Sequence, residues 1–408
     1  MATRILQSIS FLDMFGAGLL MPQLANHAKQ LGCSHIQIGT MSALYSGFQL
    51  ISGPVVGSLS DTKGRKPILL LCLYICAFAY VSLGITSSIT LFLLLRSVIG
   101  MSKQTQLLTN ALAPDYETDG TKQSIVYGRM STMTGLGMSV GPIIGGHIME
   151  AYPNNGFTVI CCVVGAIFIF NTFLLRKLPD VKISKFAKKQ VTIPIKLLDS
   201  ITKTAKESID EFRKIDWSIF WDLFLFKLLI TCCVGLYFSS FSLFLKIYHE
   251  VSPKELGYLI AFQGGMGSLC TYFIGHITKL YKHDEDFSQR MLHISLVLSF
   301  TLLGLSMISS IVIFVLLLIP FALCGSIGRV TTLEMIASRS KNTNRGTIIG
   351  ASNSMKSLSG VITPLLGGFI GEYLGIAYNF YLASFVATAG AVAIKYHRTY
   401  VTSKNKSE

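Results

Sequence analysis

The sequence predicts an all-α membrane protein whose twelve transmembrane helices form two pseudo-symmetric bundles of six. Three observations predict it. Hydrophobic residues make up 51% of the 408-residue chain and charged residues only 14%, a balance outside that of ordinary soluble domains. Apolar stretches near the length that crosses about 30 Å of hydrocarbon recur twelve times. The second half of the chain also repeats features of the first.

The first six spans fall at 5–25, 36–58, 68–86, 89–111, 124–150 and 157–177. The second six fall at 219–246, 254–278, 290–309, 311–336, 346–371 and 374–395. The expected organisation is therefore a bundle over 1–178, a linker over 179–216, a bundle over 217–396 and a tail over 397–408. The linker is charged and lacks long apolar runs, as LPDVKISKFAKKQ shows.

Basic residues orient such a chain, because they accumulate in cytoplasmic loops. Lys63, Arg65 and Lys66 follow the second span, Lys279 and Lys282 the eighth, and Arg339, Lys341 and Arg345 the tenth, while Arg398, Lys404 and Lys406 lie near the end. The alternate loops at 86–90, 151–157 and 306–310 carry no Lys or Arg. Both termini are expected in the cytoplasm, with the protein in the plasma membrane or an endomembrane. The net charge of +14 follows from this bias, so nucleic acid is not an expected partner. The first apolar run contains Asp13 and lacks a small-residue cleavage site, so it reads as the first span. The nine cysteines form no disulfide or zinc pattern and read as core residues.

The repeat is visible at a spacing of 222, where Gly128, Met133, Leu136, Pro142, Gly145 and Gly146 fall on Gly350, Met355, Leu358, Pro364, Gly367 and Gly368. At a spacing of 218, Gly39 falls on Gly257 and Gly57 on Gly275. Six-plus-six chains with internal similarity are typical of transporters with a midplane site. Gly137, Gly141 and Gly145 recur every four residues and make one flat helix face for close packing. Pro142 bends that helix by removing a backbone hydrogen bond. A plain small-residue packing seam is the simpler reading of this stretch, and it is compatible with transport.

Residues Gly137 to Gly146 resemble the fifth-helix antiporter motif of the major facilitator superfamily, GxxxGPxxGG. The stretch G57-S-L-S-D61-T-K-G64-R65-K66 resembles that superfamily's signature between helices two and three, and R96-S-V-I-G100 its fourth-helix RxxxG motif. The opening F11-L-D-M-F-G-A-G-L-L-M-P22 is similar to the first helix of tetracycline/proton antiporters. The resemblance covers essentially the whole chain and points to the drug/proton-antiporter-like branch. It implies secondary active transport by rocking two bundles about a central site, with a possible proton-coupled antiport mode. It also implies that Asp61 meets the start of helix eleven as a conformational latch and that Arg96 serves proton transfer. Thr62 departs from the basic residue usual at its place, and the second-half counterpart of Asp61 is read as Lys279, a degenerate latch.

The same residues have local readings. Gly57 allows a close helix crossing, Gly64 supplies a turn position with positive φ, and Arg65 and Lys66 fix the loop in the cytoplasm; a purely topogenic role is the plainer alternative. Ionisable groups inside spans are functional candidates by default. Asp13 reads as a proton- or cation-binding carboxylate, or as half of an ion pair joining helices. Arg96 and Lys103, seven residues apart, share a face of the fourth span, and Lys103 and Gln104 are candidates for substrate contact. Arg329, with Glu334 nearby, and Lys356 complete the set, while Arg129 and Lys227 read as snorkelling side chains. Four deep cations against one deep carboxylate imply an electropositive cavity and an organic-anion substrate.

No catalytic constellation, cofactor cradle or metal-ligand spacing is present in the sequence, so an enzyme is not expected. The expected partners are a small-molecule solute, protons and the lipid bilayer, with the protein a monomer. A non-transporting sensor or scaffold of the same fold, acting through the linker, is the alternative.

Overall fold

The structure, a computed structural model, describes residues 2–117, 119–179, 217–281, 284, 286–339 and 345–407. The linker beyond 179, Lys282 and Lys341 lie outside the described residues. Every regular element among the described residues is a helix: α1 (Ala2–Gln30), α2 (His35–Lys63), α3 (Arg65–Ile85), α4 (Ile89–Ser102), α5 (Thr105–Tyr116), α6 (Gly120–Ala151) and α7 (Gly156–Arg176), then α8 (Trp217–Tyr248), α9 (Pro253–Tyr272), α10 (Ile274–Lys279), α11 (Ser288–Met307), α12 (Ile311–Arg339), α13 (Arg345–Tyr373) and α14 (Tyr378–Ser407).

Fourteen described helices meet twelve expected spans because two spans are interrupted. The fourth breaks at Lys103 and Gln104 and the eighth at Phe273. The last helix runs on to Ser407 rather than ending near 396. Six helical stretches are long and apolar enough to cross a bilayer on length and composition alone: 2–30, 65–85, 156–176, 220–248, 288–307 and 311–339. The other expected spans either are the interrupted ones or carry many Gly, Ser and Thr, as α2, α6 and α13 do.

The chain forms two compact units. The first comprises the described residues within Met1–Cys33, Leu44–Glu207 and Val251–Ala261. Here α1 lies along α6 with almost no side-chain volume between them. A Cβ on Gly137 would stand 2.5 Å from the Phe11 carbonyl oxygen, and one on Gly141 would stand 2.6 Å from that of Phe15. Gly145 faces Leu19 in the same way. Elsewhere in this unit α3 packs on α7, where the Thr158 hydroxyl donates to the Gly84 carbonyl at 2.6 Å.

The second unit comprises the described residues within Ser34–Ala43, Ser208–Glu250 and Phe262–Glu408. Its core centres on the fully buried Tyr237, whose ring meets Phe241, Phe321 and Phe380. Hydroxyls join α11 to α14: Ser299 lies 3.1 Å from Ser384 Oγ and 2.6 Å from Thr388 Oγ1. Such interhelical bonds substitute for a hydrophobic driving force that lipid cannot supply.

These boundaries differ from bundles at 1–178 and 217–396. The start of α2 packs in the second unit and the start of α9 in the first. The cause is a pair of backbone contacts: Gly39 sits against the Pro364 carbonyl and Gly257 against that of Pro142. The Gly39 and Gly257 pair of the 218 repeat thus meets the two prolines of the 222 repeat. Both helices also start with the same reciprocal cap. The Ser34 amide donates to Gln37 Oε1 at 2.9 Å, and the Ser252 amide to Glu255 Oε2 at 2.8 Å.

The α1·α6 contact makes a direct prediction. Gly141→Leu forces the two backbones apart and should cost about 1–3 kcal/mol or more, lowering the melting temperature of the purified protein. Gly135→Leu, on the same helix but with nothing within 4 Å, should leave that temperature nearly unchanged.

Candidate functional site

In the first unit the chain turns non-helical at Lys103 (φ −78°, ψ 66°) and Gln104 (φ −107°, ψ 21°). The sequence explains the break: S102-K-Q-T105 places four polar residues together inside an apolar run. A broken helix frees backbone groups that hydrocarbon cannot satisfy, so other side chains must do so. Gln49 Nε2 donates to the Lys103 carbonyl at 3.0 Å. Gln104 Nε2 in turn donates to the Gln49 carbonyl at 2.9 Å and to Ser52 Oγ at 2.8 Å. The break is thereby knitted to α2.

The break swings Lys103 towards α1. Its Nζ lies 3.3 Å from Asp13 Oδ1 and 3.4 Å from the Asp13 carbonyl oxygen, with the Phe168 ring centroid 5.4 Å away. The two side chains are only 4% and 1% exposed. Gln106 holds the other carboxylate oxygen, its Nε2 donating to Asp13 Oδ2 at 3.3 Å. At an effective dielectric of about 20, charges this close attract by roughly 5 kcal/mol. Desolvation of the two ions costs several kcal/mol each. The pair is therefore near balance and sensitive to loss of either charge.

Arg96 does not share this pair. It is buried, lies over the Tyr45 ring at 4.4 Å, and its Nε has no hydrogen-bond partner among the described residues. Cation–π attraction of this kind is worth about 2 kcal/mol when desolvated. Asp13 therefore does not face four free cations, because Lys103 neutralises it.

At the Lys63–Lys66 loop, Gly64 has φ 98°, a conformation that glycine adopts without strain. Asp61 pairs with Arg65 at 3.1 Å, Arg65 pairs with Asp115 at 2.8 Å, and Lys66 donates to the Leu178 carbonyl at 2.7 Å. The side chains at 345–347, where the helix-eleven partner of Asp61 is expected, lie outside the described residues. A Cβ on Gly57 would meet nothing within 4 Å, so no close crossing occurs there. Gly146 instead makes one, since a Cβ there would stand 2.5 Å from the Pro253 carbonyl oxygen.

The second unit carries a counterpart of this loop that the 218 spacing conceals. At a spacing of 225 from Arg65 stands Arg290. Arg290 pairs with Glu334, as Arg65 pairs with Asp115. Arg339 pairs with Asp222 at 2.6 Å and donates to the Asp286 carbonyl at 3.0 Å. Burial raises the Asp286 carboxyl, but bonds donated by the Ser288 hydroxyl and amide outweigh it and hold the group below its ordinary value. That contribution is present above the usual carboxylate value and lost as pH falls through the depressed one.

Glu334 is thus committed to Arg290, not to Arg329, which donates to Ser326 Oγ at 3.1 Å. Lys356 is exposed. Lys227, read above as snorkelling, is half-buried and lies within electrostatic reach of both Lys356 and Arg329. Among the described residues no group of His, Cys, Asp or Glu could hold a metal.

Sequence reasoning thus missed Gln49, Gln106, Tyr45, Asp222, Asp286 and Arg290. The D286-x-x-x-R290 spacing, equal to that of D61-x-x-x-R65, was the signal for the last pair.

The model of the Major Facilitator Superfamily matches residues 6–285 and 285–408. The chain belongs to the Major Facilitator Superfamily. It is 30% identical to the class B tetracycline resistance protein of Escherichia coli over 179 residues, 43% of this chain and 44% of that protein. It is 24% identical to solute carrier family 67 member A1 of Homo sapiens over 396 residues, covering 92% and 86%. The superfamily fold is shared with a bacterial homologue of the human lysosomal transporter Spinster (TM-score 0.74, 14% identity, 96% and 94% covered) and the human organic anion transporter MFSD10 (0.63, 18%, 96% and 98%). The protein is a multi-pass integral membrane protein and a secondary transporter, in a family whose members move small solutes rather than catalyse reactions.

The loop networks predict unequal sensitivities. Glu334→Gln leaves the guanidinium of Arg290, 6% exposed, without its acid and should cost about 2 kcal/mol in thermal unfolding. Asp61→Asn, at a side chain 63% exposed, should change stability by less than about 1 kcal/mol.

Proposed function

We propose that this chain is a proton-coupled transporter of a small organic anion, working by alternating access, with protons loading at Asp13. The observation that carries this is the buried Asp13–Lys103 pair at the break in the fourth span. Protonation of Asp13 removes the attraction that holds Lys103 and releases an ammonium for an anionic solute. Proton and anion then bind together. A cationic solute would instead compete with Lys103 and with the proton for Asp13, which gives exchange, the mode that the Gly137–Gly146 motif resembles.

Supporting the choice of an anion, Arg96 in the first unit and Lys227, Arg329 and Lys356 in the second have no acidic partner among the described residues. One structural relative is described as an organic anion transporter. In the stretches WDLFLFKLL, LYKHD and GSIGRV the chain is also similar to major facilitator superfamily domain-containing protein 9, an orphan solute carrier. Gln104 and Arg96 complete the solute and proton path, and the Gly57–Lys66 loop acts as the conformational latch. The protein works as a monomer, with both termini in the cytoplasm, in the plasma membrane or an endomembrane.

Proteoliposomes loaded with a pH-sensitive dye test this reading. Addition of a panel of organic anions should drive proton movement in the same direction as the solute. Asp13→Asn should reduce that movement at least tenfold. Because either single substitution strands a buried charge at about 3 kcal/mol or more, the pair Asp13→Asn/Lys103→Gln serves as the folded reference. Proton movement that persists in Asp13→Asn, or a panel in which only neutral and cationic solutes cross, would refute the proposal.

A further inference from the structure

The second unit contains three cations on three helices that converge without an acid among the described residues. The contacts of α8 with α13 fix their level: Gly235 packs against Thr363 and Ser239 against Gly367, so the two helices run in the same direction. Lys227 lies eight residues before Gly235 and Lys356 seven before Thr363. At a rise of 1.5 Å per residue these are about 12 and 10.5 Å below the contact, hence at one level of the unit, and within electrostatic reach of each other. Arg329 joins them from α12, since its neighbour Gly328 abuts Ile230, a turn after Lys227; a Cβ on Gly328 would stand 2.8 Å from Ile230 Cδ1.

The acids of these helices are all engaged elsewhere. Asp222 of α8 holds Arg339, Glu334 of α12 holds Arg290, and Glu372 of α13 accepts from the His35 amide at 2.7 Å. Lys227 and Lys356 have no hydrogen-bond partner among the described residues, and Arg329 has only the Ser326 hydroxyl. Three like charges held together repel one another. Their juxtaposition is costly unless something of opposite sign fills the space between them, and Arg329 and Lys356 are open to receive it.

We propose that Lys227, Arg329 and Lys356 form a binding site for a multivalent anion, a dicarboxylate or a phosphate-bearing group. One carboxylate could be satisfied by a single guanidinium; three cations call for at least two negative charges. The fork of Arg329 takes two oxygens of one group, and the lysines act as point charges on the rest. This narrows the substrate class of the organic-anion reading above and rests on it for its meaning in transport. It is measured by binding without flux, so failure of proton coupling at Asp13 leaves it standing.

The test uses the full chain in phosphatidylcholine nanodiscs, with thermal stability followed against succinate, inorganic phosphate and the monovalent butyrate at matched ionic strength. Succinate or phosphate should raise the melting temperature and butyrate should not. Lys356→Gln and Arg329→Gln, at exposed positions, should each weaken the apparent affinity about tenfold, while Lys356→Arg retains it. A further arm adds phosphatidylinositol 4-phosphate to the bilayer. Stabilisation by that lipid alone, lost in the same variants, would assign the site to a lipid headgroup. Butyrate acting as strongly as succinate, or responses to all probes that ignore the substitutions, would overturn the proposal.

Discussion

A charge or a backbone dipole placed in hydrocarbon has no water to turn to, and the chain must supply its partner. This constraint organises the first unit. The peptide freed at the break of the fourth span is met by Gln49, the ammonium beside it by Asp13, and the second oxygen of that carboxylate by Gln106. None of these groups is individually strong. Together they leave a cluster of buried polar groups in which each is held by its neighbours.

The same constraint explains the glycines. With lipid as apolar as leucine, helices associate by fit and by interhelical hydrogen bonds rather than by exclusion of water. Gly137, Gly141 and Gly145 bring α6 onto the backbone of α1, and Gly39 and Gly257 bring two helix starts onto proline carbonyls. The repeated halves therefore share more than an ancestry of spans. The reciprocal caps at Ser34 and Ser252 and the Arg65–Asp115 and Arg290–Glu334 pairs recur with them.

The type of the elements and the places of the spans were legible because twenty-residue apolar runs and glycine spacing are local signals. The helix-packing face of α6 was legible for the same reason. The fourth-span break was not, because S102-K-Q-T105 contains neither glycine nor proline, the usual marks of an interrupted helix. The Arg290–Glu334 pair was missed because Arg290 lies 225 residues after Arg65, not at the spacing of 218. The partners of Glu334 and Lys103 could not be read at all: which of several nearby cations an acid takes depends on helix rotation, and a one-residue shift turns a side chain by 100°.

The interruption at Lys103 and Gln104 also starts a new helix in the interior of the first unit. The second residue of α5, Gln106, reaches the Asp13 carboxylate, so this start lies beside it. Aligned peptide dipoles give a helix start the equivalent of about half a positive elementary charge. That field belongs to the main chain, so no side-chain replacement can delete it. The start of α5 thus adds a fixed positive potential beside the Asp13–Lys103 pair.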